Sequence, residues 1–252
     1  MKILHLIFYF FVAITLFSCG ADEASSGGGN DGRGETGTGG SMARFAIKGN
    51  FLYTVNSQTI KTFDISVPQN PAPTTETNVG FGIETIFPHN EFLFIGSQNG
   101  MYVYSLKTPE NPTFVSNFQH IKSCDPVVVN DSVAFITLNT NQWRCGRNNN
   151  LLQIVDISDK KNPKFITEYQ MIGPLGLGLD STTLFVCDNG LKVYDATNVL
   201  NLKKIAEFSI KAYDVIPLLK KKILIVIGDD GLYQYSYNNL KITLLSKIGV
   251  SN

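Results

Sequence analysis

Leu152-Gln153-Ile154-Val155-Asp156 is a short apolar run that closes on an acid, and the chain repeats it. Ile60-Lys61-Thr62-Phe63-Asp64, Met101-Tyr102-Val103-Tyr104-Ser105, Leu191-Lys192-Val193-Tyr194-Asp195 and Leu232-Tyr233-Gln234-Tyr235-Ser236 have the same form. Their last positions lie 41, 51, 39 and 41 residues apart, a mean of 43. Ahead of each stands a second apolar run: Phe51–Val55, Phe92–Ile95, Val133–Thr137, Leu184–Cys187 and Ile223–Ile227. Asn99-Gly100, Asn189-Gly190 and Asp230-Gly231 separate three of these pairs, and such dipeptides are strong hairpin signals. Pro68 and Pro71, Pro109 and Pro112, and Pro163 follow the closing acid or serine, where proline interrupts no ladder.

A period of about 40 to 50 residues, with two hairpin strands in each period, is that of a propeller blade of four strands. No stretch sustains the 3.6-residue apolar spacing of a helix, which excludes the helical repeats of similar length. Residues 42–252 are therefore expected to form an all-β domain, a propeller of five four-stranded antiparallel blades. The closing Asp or Ser is expected to accept a backbone N–H of the following turn, with Ser the weaker acceptor.

Leu152-Gln153-Ile154-Val155-Asp156, followed by Ile157-Ser158 and Asn162-Pro163, resembles the LVIVD repeat of bacterial β-propeller lipoproteins. Met42–Ile47, Ser123–Val129 and Leu191–Asp195 look like segments that recur in that family. The resemblance implies a propeller, an exported or membrane-anchored location and no assigned catalytic activity. Ser105 and Ser236 depart from its acid.

Residues 1–18 place one lysine before a run of about fifteen apolar residues, too short for a comfortable span and of the length of a signal peptide. Leu16-Phe17-Ser18-Cys19 resembles a bacterial lipobox, which makes Cys19 the expected lipidation site; an ordinary signal peptide or an uncleaved anchor helix is the alternative. Residues 19–41 carry nine glycines and no large apolar side chain after Cys19, so they read as a flexible tether. The expected location is the cell envelope, exported and lipid-anchored, at the outer membrane or on the cell surface. The whole chain has 21 basic and 21 acidic side chains, and this balance disfavours nucleic acid as a partner. The expected partners are the membrane, through the lipid, and a protein or glycan on one loop face. No metal site and no cofactor is expected from three scattered histidines and four cysteines lacking CxxC spacing.

The third repeat is longer by about ten residues, 139–148, which include Trp143, Arg144 and Cys145. In an up-and-down blade, the start of strand one and the loop joining strands two and three share an end. Cys124 and Cys145 should then meet, and an exported chain permits a disulfide between them. Closing this 21-residue loop would contribute ~3 kcal/mol. Cys187, within an apolar strand, reads as an inert core thiol. Trp143 and Arg144 either form a binding patch or fold back over the disulfide. Three first strands open with a carboxylate, Glu84, Asp125 and Asp214, with Arg44 near the matching place in repeat one. These acids are read as a solvated channel rim, a cation or polar-ligand site, or a general acid/base set. No nucleophile-elbow, zinc-protease, P-loop or EF-hand motif is present. The reading is a non-catalytic binding scaffold; the alternative is a glycosidase-like enzyme using Glu84, Asp125 and Asp214.

Overall fold

The computed structural model describes residues 39–120, 126–140, 149–238 and 241–250. Among the described residues twenty strands form five four-stranded antiparallel sheets, each built from four consecutive strands in simple up-and-down order. The first strands are Phe45–Lys48, Ile83–His89, Val127–Val129, Pro174–Asp180 and Ala212–Leu218. The fourth strands are Ala72–Asn78, Thr113–Gln119, Lys164–Gln170, Lys203–Phe208 and Lys241–Gly249. First strands of successive blades approach one another around a central channel, and the fourth strands form the outer rim. The all-β, five-bladed expectation holds.

The second and third strands fall where the apolar runs place them, with Phe51–Val55 and Leu191–Asp195 matching at both ends. The dipeptide glycines play a different part from a turn centre. Gly100 and Gly231 pair across the ladder with Ser97 and Gly228, so each opens the third strand. A Cβ on Gly100, Gly190 or Gly231 would lie 2.3, 2.7 or 2.0 Å from a carbonyl oxygen of the fourth strand or its edge (Phe118, Phe208, Ile248). Glycine is required there because another backbone passes too close for a side chain.

The closing acids cap their turns as expected. One oxygen each of Asp64, Asp156 and Asp195 accepts the N–H of Ser66, Ser158 and Thr197 at 2.8, 2.8 and 2.9 Å. These bonds help hold all three carboxyls below their ordinary range. Ser105 makes the weaker version, accepting Lys107 N–H at 3.3 Å. Ser236 instead donates toward the Thr243 carbonyl.

Apolar clusters fill the interfaces between blades one and two, two and three, three and four, and four and five. Among the described residues no such cluster joins blade five to blade one. The second strands of the three middle blades are buried on both faces, whereas those of blades one and five are buried on alternate positions only. Phe45 on blade one and Ile227 on blade five remain 54% and 39% exposed. Each end blade thus buries one face and leaves the other half wet.

The channel side of that seam is occupied by residues 39–43, the chain just ahead of blade one. Ser41, 1% exposed, accepts Leu177 N–H from blade four at 2.7 Å through its hydroxyl, which also donates to Asp214 of blade five at 3.2 Å. The Ala43 carbonyl accepts Ile86 N–H from blade two at 3.0 Å. Gly39, Gly40 and Ser41, read from sequence as the end of the tether, therefore belong to the propeller interior. Glycine composition suggested a flexible segment, but a Cβ on Gly40 would sit 1.9 Å from an Asp214 oxygen, so glycine is what admits the chain.

Candidate active site

At one mouth of the channel, a pocket of about 360 Å³ is lined by Arg44, Glu84, Gln98, Ser57 and Asn139 beside Pro126 and Pro174. Arg44, Glu84, Pro126 and Pro174 stand at or next to the starts of first strands; Ser57, Gln98 and Asn139 come from the ends of second strands or the turns after them. The rule that these two features share an end of each blade is thereby met by the described residues. Gln98 Nε2 donates to Glu84 Oε1 at 3.2 Å, fixing the half-buried carboxylate toward the pocket.

Glu84 owes its place to a β-bulge. In blade two Ile83 pairs with Ser97 and Thr85 with Gly96, leaving Glu84 as the extra residue. Blade five has the same irregularity, but there Ala212 pairs with Gly228 and Asp214 with Ile227, so the extra residue is Tyr213. Asp214 is therefore the counterpart of Thr85, and consecutive side chains on a strand face opposite ways. Glu84 lines the mouth; Asp214 turns inward and lines neither that pocket nor its rim. A sequence comparison aligned by charge misses this one-residue offset.

Asp214 is 9% exposed and is surrounded by donors: Val215 N–H at 2.9 Å, the Ser41 hydroxyl, and the backbone N–H groups of Ser41 and Met42. Burial pushes its carboxyl up to about 6, and those four donors hold it from rising further. Burial, with a smaller push from the same acid, raises the Cys187 thiol well above its ordinary range; Cys187 is fully buried and unbridged. A second buried acid escaped the sequence reading. Asp188 accepts Ile172 and Gly173 N–H at 2.9 and 2.7 Å through Oδ1 and pairs with Lys192 Nζ at 2.7 Å through Oδ2. It pins the start of the blade-four first strand, which supplies Pro174 and Leu175 to the pocket. Its Asp188-Asn189-Gly190 turn was read only as a hairpin signal.

Asp125, Cys124, Cys145, Trp143, Arg144 and the lipidation candidate Cys19 lie outside the described residues. Among the described residues no group of three or more His, Cys, Asp or Glu side chains is arranged to hold a metal.

A five-bladed arrangement of four-stranded sheets with a polar pocket at the channel mouth defines the protein as a β-propeller. Within it, residues 146–171 match the LVIVD repeat family. No curated protein sequence matches the chain. A solved protein from Lactobacillus plantarum superposes with a TM-score of 0.64 at 16% identity, over 79% of this chain and 67% of that one. The periplasmic gluconolactonase of Pseudomonas aeruginosa gives 0.60 at 12% identity, over 82% and 68%. A chain of the mitotic checkpoint complex gives 0.58 at 13%, over 81% and 64%. At these identities the likeness is one of fold, and the fold serves both a hydrolase and a member of a protein assembly. The expectation that the protein is not an enzyme is corrected by this finding. That expectation rested on missing motifs, and the fold is shared with a gluconolactonase and with Bacteroides proteins provisionally assigned as 6-phosphogluconolactonases.

Proposed function

We propose that the protein is a propeller hydrolase that opens a small cyclic sugar ester in the Arg44–Glu84 mouth. The supporting observation is the convergence of one carboxylate, one guanidinium and the neutral polar groups of Gln98, Ser57 and Asn139 on a single pocket of about 360 Å³. That volume suits one hydroxylated ring. Glu84 takes a proton from water as the water oxygen adds to the ring carbonyl, and Arg44 balances the negative charge that develops on the carbonyl oxygen. Collapse breaks the ring C–O bond, the proton on Glu84 passes to the departing alkoxide, and a hydroxy acid leaves. The neutral side chains hold ring hydroxyls. The glycosidase alternative asks for two carboxylates facing one cleft; among the described residues Glu84 alone brings a carboxylate to the pocket, and lactone opening needs a single base.

The test is hydrolysis of glucono-δ-lactone followed by pH-stat. Glu84→Gln should lower kcat by about 10² to 10⁴, the usual contribution of a general base. Arg44→Met should lower it by about 10² or more. Hydrolysis no faster than buffer, or a Glu84→Gln variant as active as the parent, overturns the reading. The location belongs to the same proposal and rests on sequence: export through residues 1–18 and lipidation of Cys19 would hold the enzyme in the cell envelope. Cys19→Ala should then release it from the membrane fraction, and retention of that variant after signal cleavage would exclude the lipid as anchor.

A further inference from the structure

The opposite mouth is built differently. Its pocket, about 510 Å³, has an apolar floor of Phe87, Leu179, Pro217 and Leu219, with Lys48, His89 and Asp131 at its edge. All five first strands reach it at their C-terminal ends. Apolar walls with a few convergent polar groups, at this size, are the usual form of a small-molecule site.

The polar edge is ordered. The blade-two first strand ends at His89, and the turn that follows holds Asn90 in the left-handed region, at φ 49°. His89 Nε2 lies 2.8 Å from Asp131 Oδ1 of blade three, and Asn90 Nδ2 donates to the same oxygen at 2.7 Å. These bonds hold the Asp131 carboxyl below its ordinary range. Asp131 also lines the pocket, but His89 and Asn90 occupy one of its oxygens and its side chain is 84% exposed, so water and salt screen its charge. Lys48 ends the blade-one first strand. Burial pushes its ammonium down, Glu91 is the acid near enough to oppose that, and among the described residues Lys48 makes no ion pair. A partly desolvated cation beside an apolar floor is complementary to an anion attached to an apolar body.

The pocket also spans the seam. Lys48 belongs to blade one, while Val215, Pro217 and Leu219 belong to blade five, the two blades that share no buried apolar cluster among the described residues. An occupant would touch both. The chain's own residues 20–38 lead to Gly39 at this mouth but contain no large apolar side chain, so they match the floor poorly.

We propose that this mouth binds a small amphiphilic carboxylate, its head at Lys48, its hydrocarbon on Phe87, Pro217 and Leu219, and that the ligand ties blade five to blade one. The probe is octanoate, with octanamide as the uncharged counterpart, titrated by calorimetry into the exported Cys19→Ala chain. Octanoate should bind at least tenfold tighter than octanamide. Lys48→Met should remove that preference and Lys48→Arg should restore it, because a hydrogen bond to a charged group at a half-buried site is worth about that factor or more. Octanoate should also raise Tm and slow amide exchange in Ile223–Gly228 and Phe45–Lys48, the strands that flank the seam. Equal affinity for the two probes overturns the proposal, as does binding unchanged by Lys48→Met. Binding that appears only after residues 20–38 are deleted assigns the pocket to the chain's own segment and overturns it as well. The lactone reading is tested at Glu84, so failure of either leaves the other standing.

Discussion

Gly40→Ala isolates the contact by which residues 39–43 hold the open side of the propeller. The new Cβ would stand 1.9 Å from Asp214 Oδ2 and 2.7 Å from its Cγ. Neither side can retreat easily. Asp214 is tied to Val215 N–H and to the Ser41 hydroxyl, and Ser41 is tied in turn to Leu177 N–H. Overpacking of a tight site costs about 1 to 3 kcal/mol. If the chain instead withdraws, the carboxylate loses the Ser41 and Met42 donors, each hydrogen bond to a charged group being worth about 1.5 to 3 kcal/mol. The two routes meet at about 3 kcal/mol, the upper end of the first and the lower end of the second. At about 2 to 4 °C per kcal/mol for a domain of this size, Tm should fall by about 10 °C. The assay is calorimetric melting of the parent, Gly40→Ala, Asp214→Ala and the double variant. Asp214→Ala removes all three atoms that the new methyl would strike, so the double variant should be less destabilised than the two singles added together, by about 1 kcal/mol or more. A Gly40→Ala melt within 1 °C of the parent, or strict additivity with Asp214→Ala, would refute the assignment of residues 39–43 to the propeller interior.

The Asp214 carboxyl also predicts a pH profile: raised from its ordinary 3.8 to about 6 in the folded protein, it binds more protons there than when unfolded, so stability should fall by ~3 kcal/mol as pH rises from about 4 to 6 and then level off. Asp214→Asn should abolish this slope in chemical denaturation, and a parent that gains stability across the same window would contradict it. Below pH 4 the turn-capping acids Asp64, Asp156 and Asp195, held low when folded, should bring stability down again. Asp188→Ala should cost about 3 to 5 kcal/mol, since it strands a buried ammonium and frees two N–H groups, whereas Lys192→Met should cost less because Asp188 keeps its backbone donors; equal penalties would mean the ion pair alone matters. Peptide mapping of the non-reduced, exported protein should join Cys124 to Cys145 and leave Cys187 free, and a bridge to Cys187 would be incompatible with its burial in blade four.

What the sequence by itself determined is the local part of the architecture. Alternation along Phe51–Val55 or Leu191–Asp195, a turn dipeptide and a closing acid are each written within a few residues, and the forces they express act over that distance. Five four-stranded blades, their order and the Asp turn caps follow from such signals, as does the rule that placed Glu84 and Arg44 at one mouth. The offset between Glu84 and Asp214 was hidden because a bulge inserts one residue without altering the apolar pattern, and one residue reverses which way a side chain points. The seam was hidden for another reason. Repeats one and five read as complete, since whether a blade buries its second face depends on a neighbour, not on its own residues. Least legible of all were Gly39, Gly40 and Ser41. A glycine run carries no side chain to bury, so by composition it belongs to a tether; only the folded chain brings Ser41 to Asp214, 173 residues away, where a missing Cβ is the condition for contact. The second pocket follows the same logic, because its walls come from all five first strands and exist only once the blades have assembled around the channel.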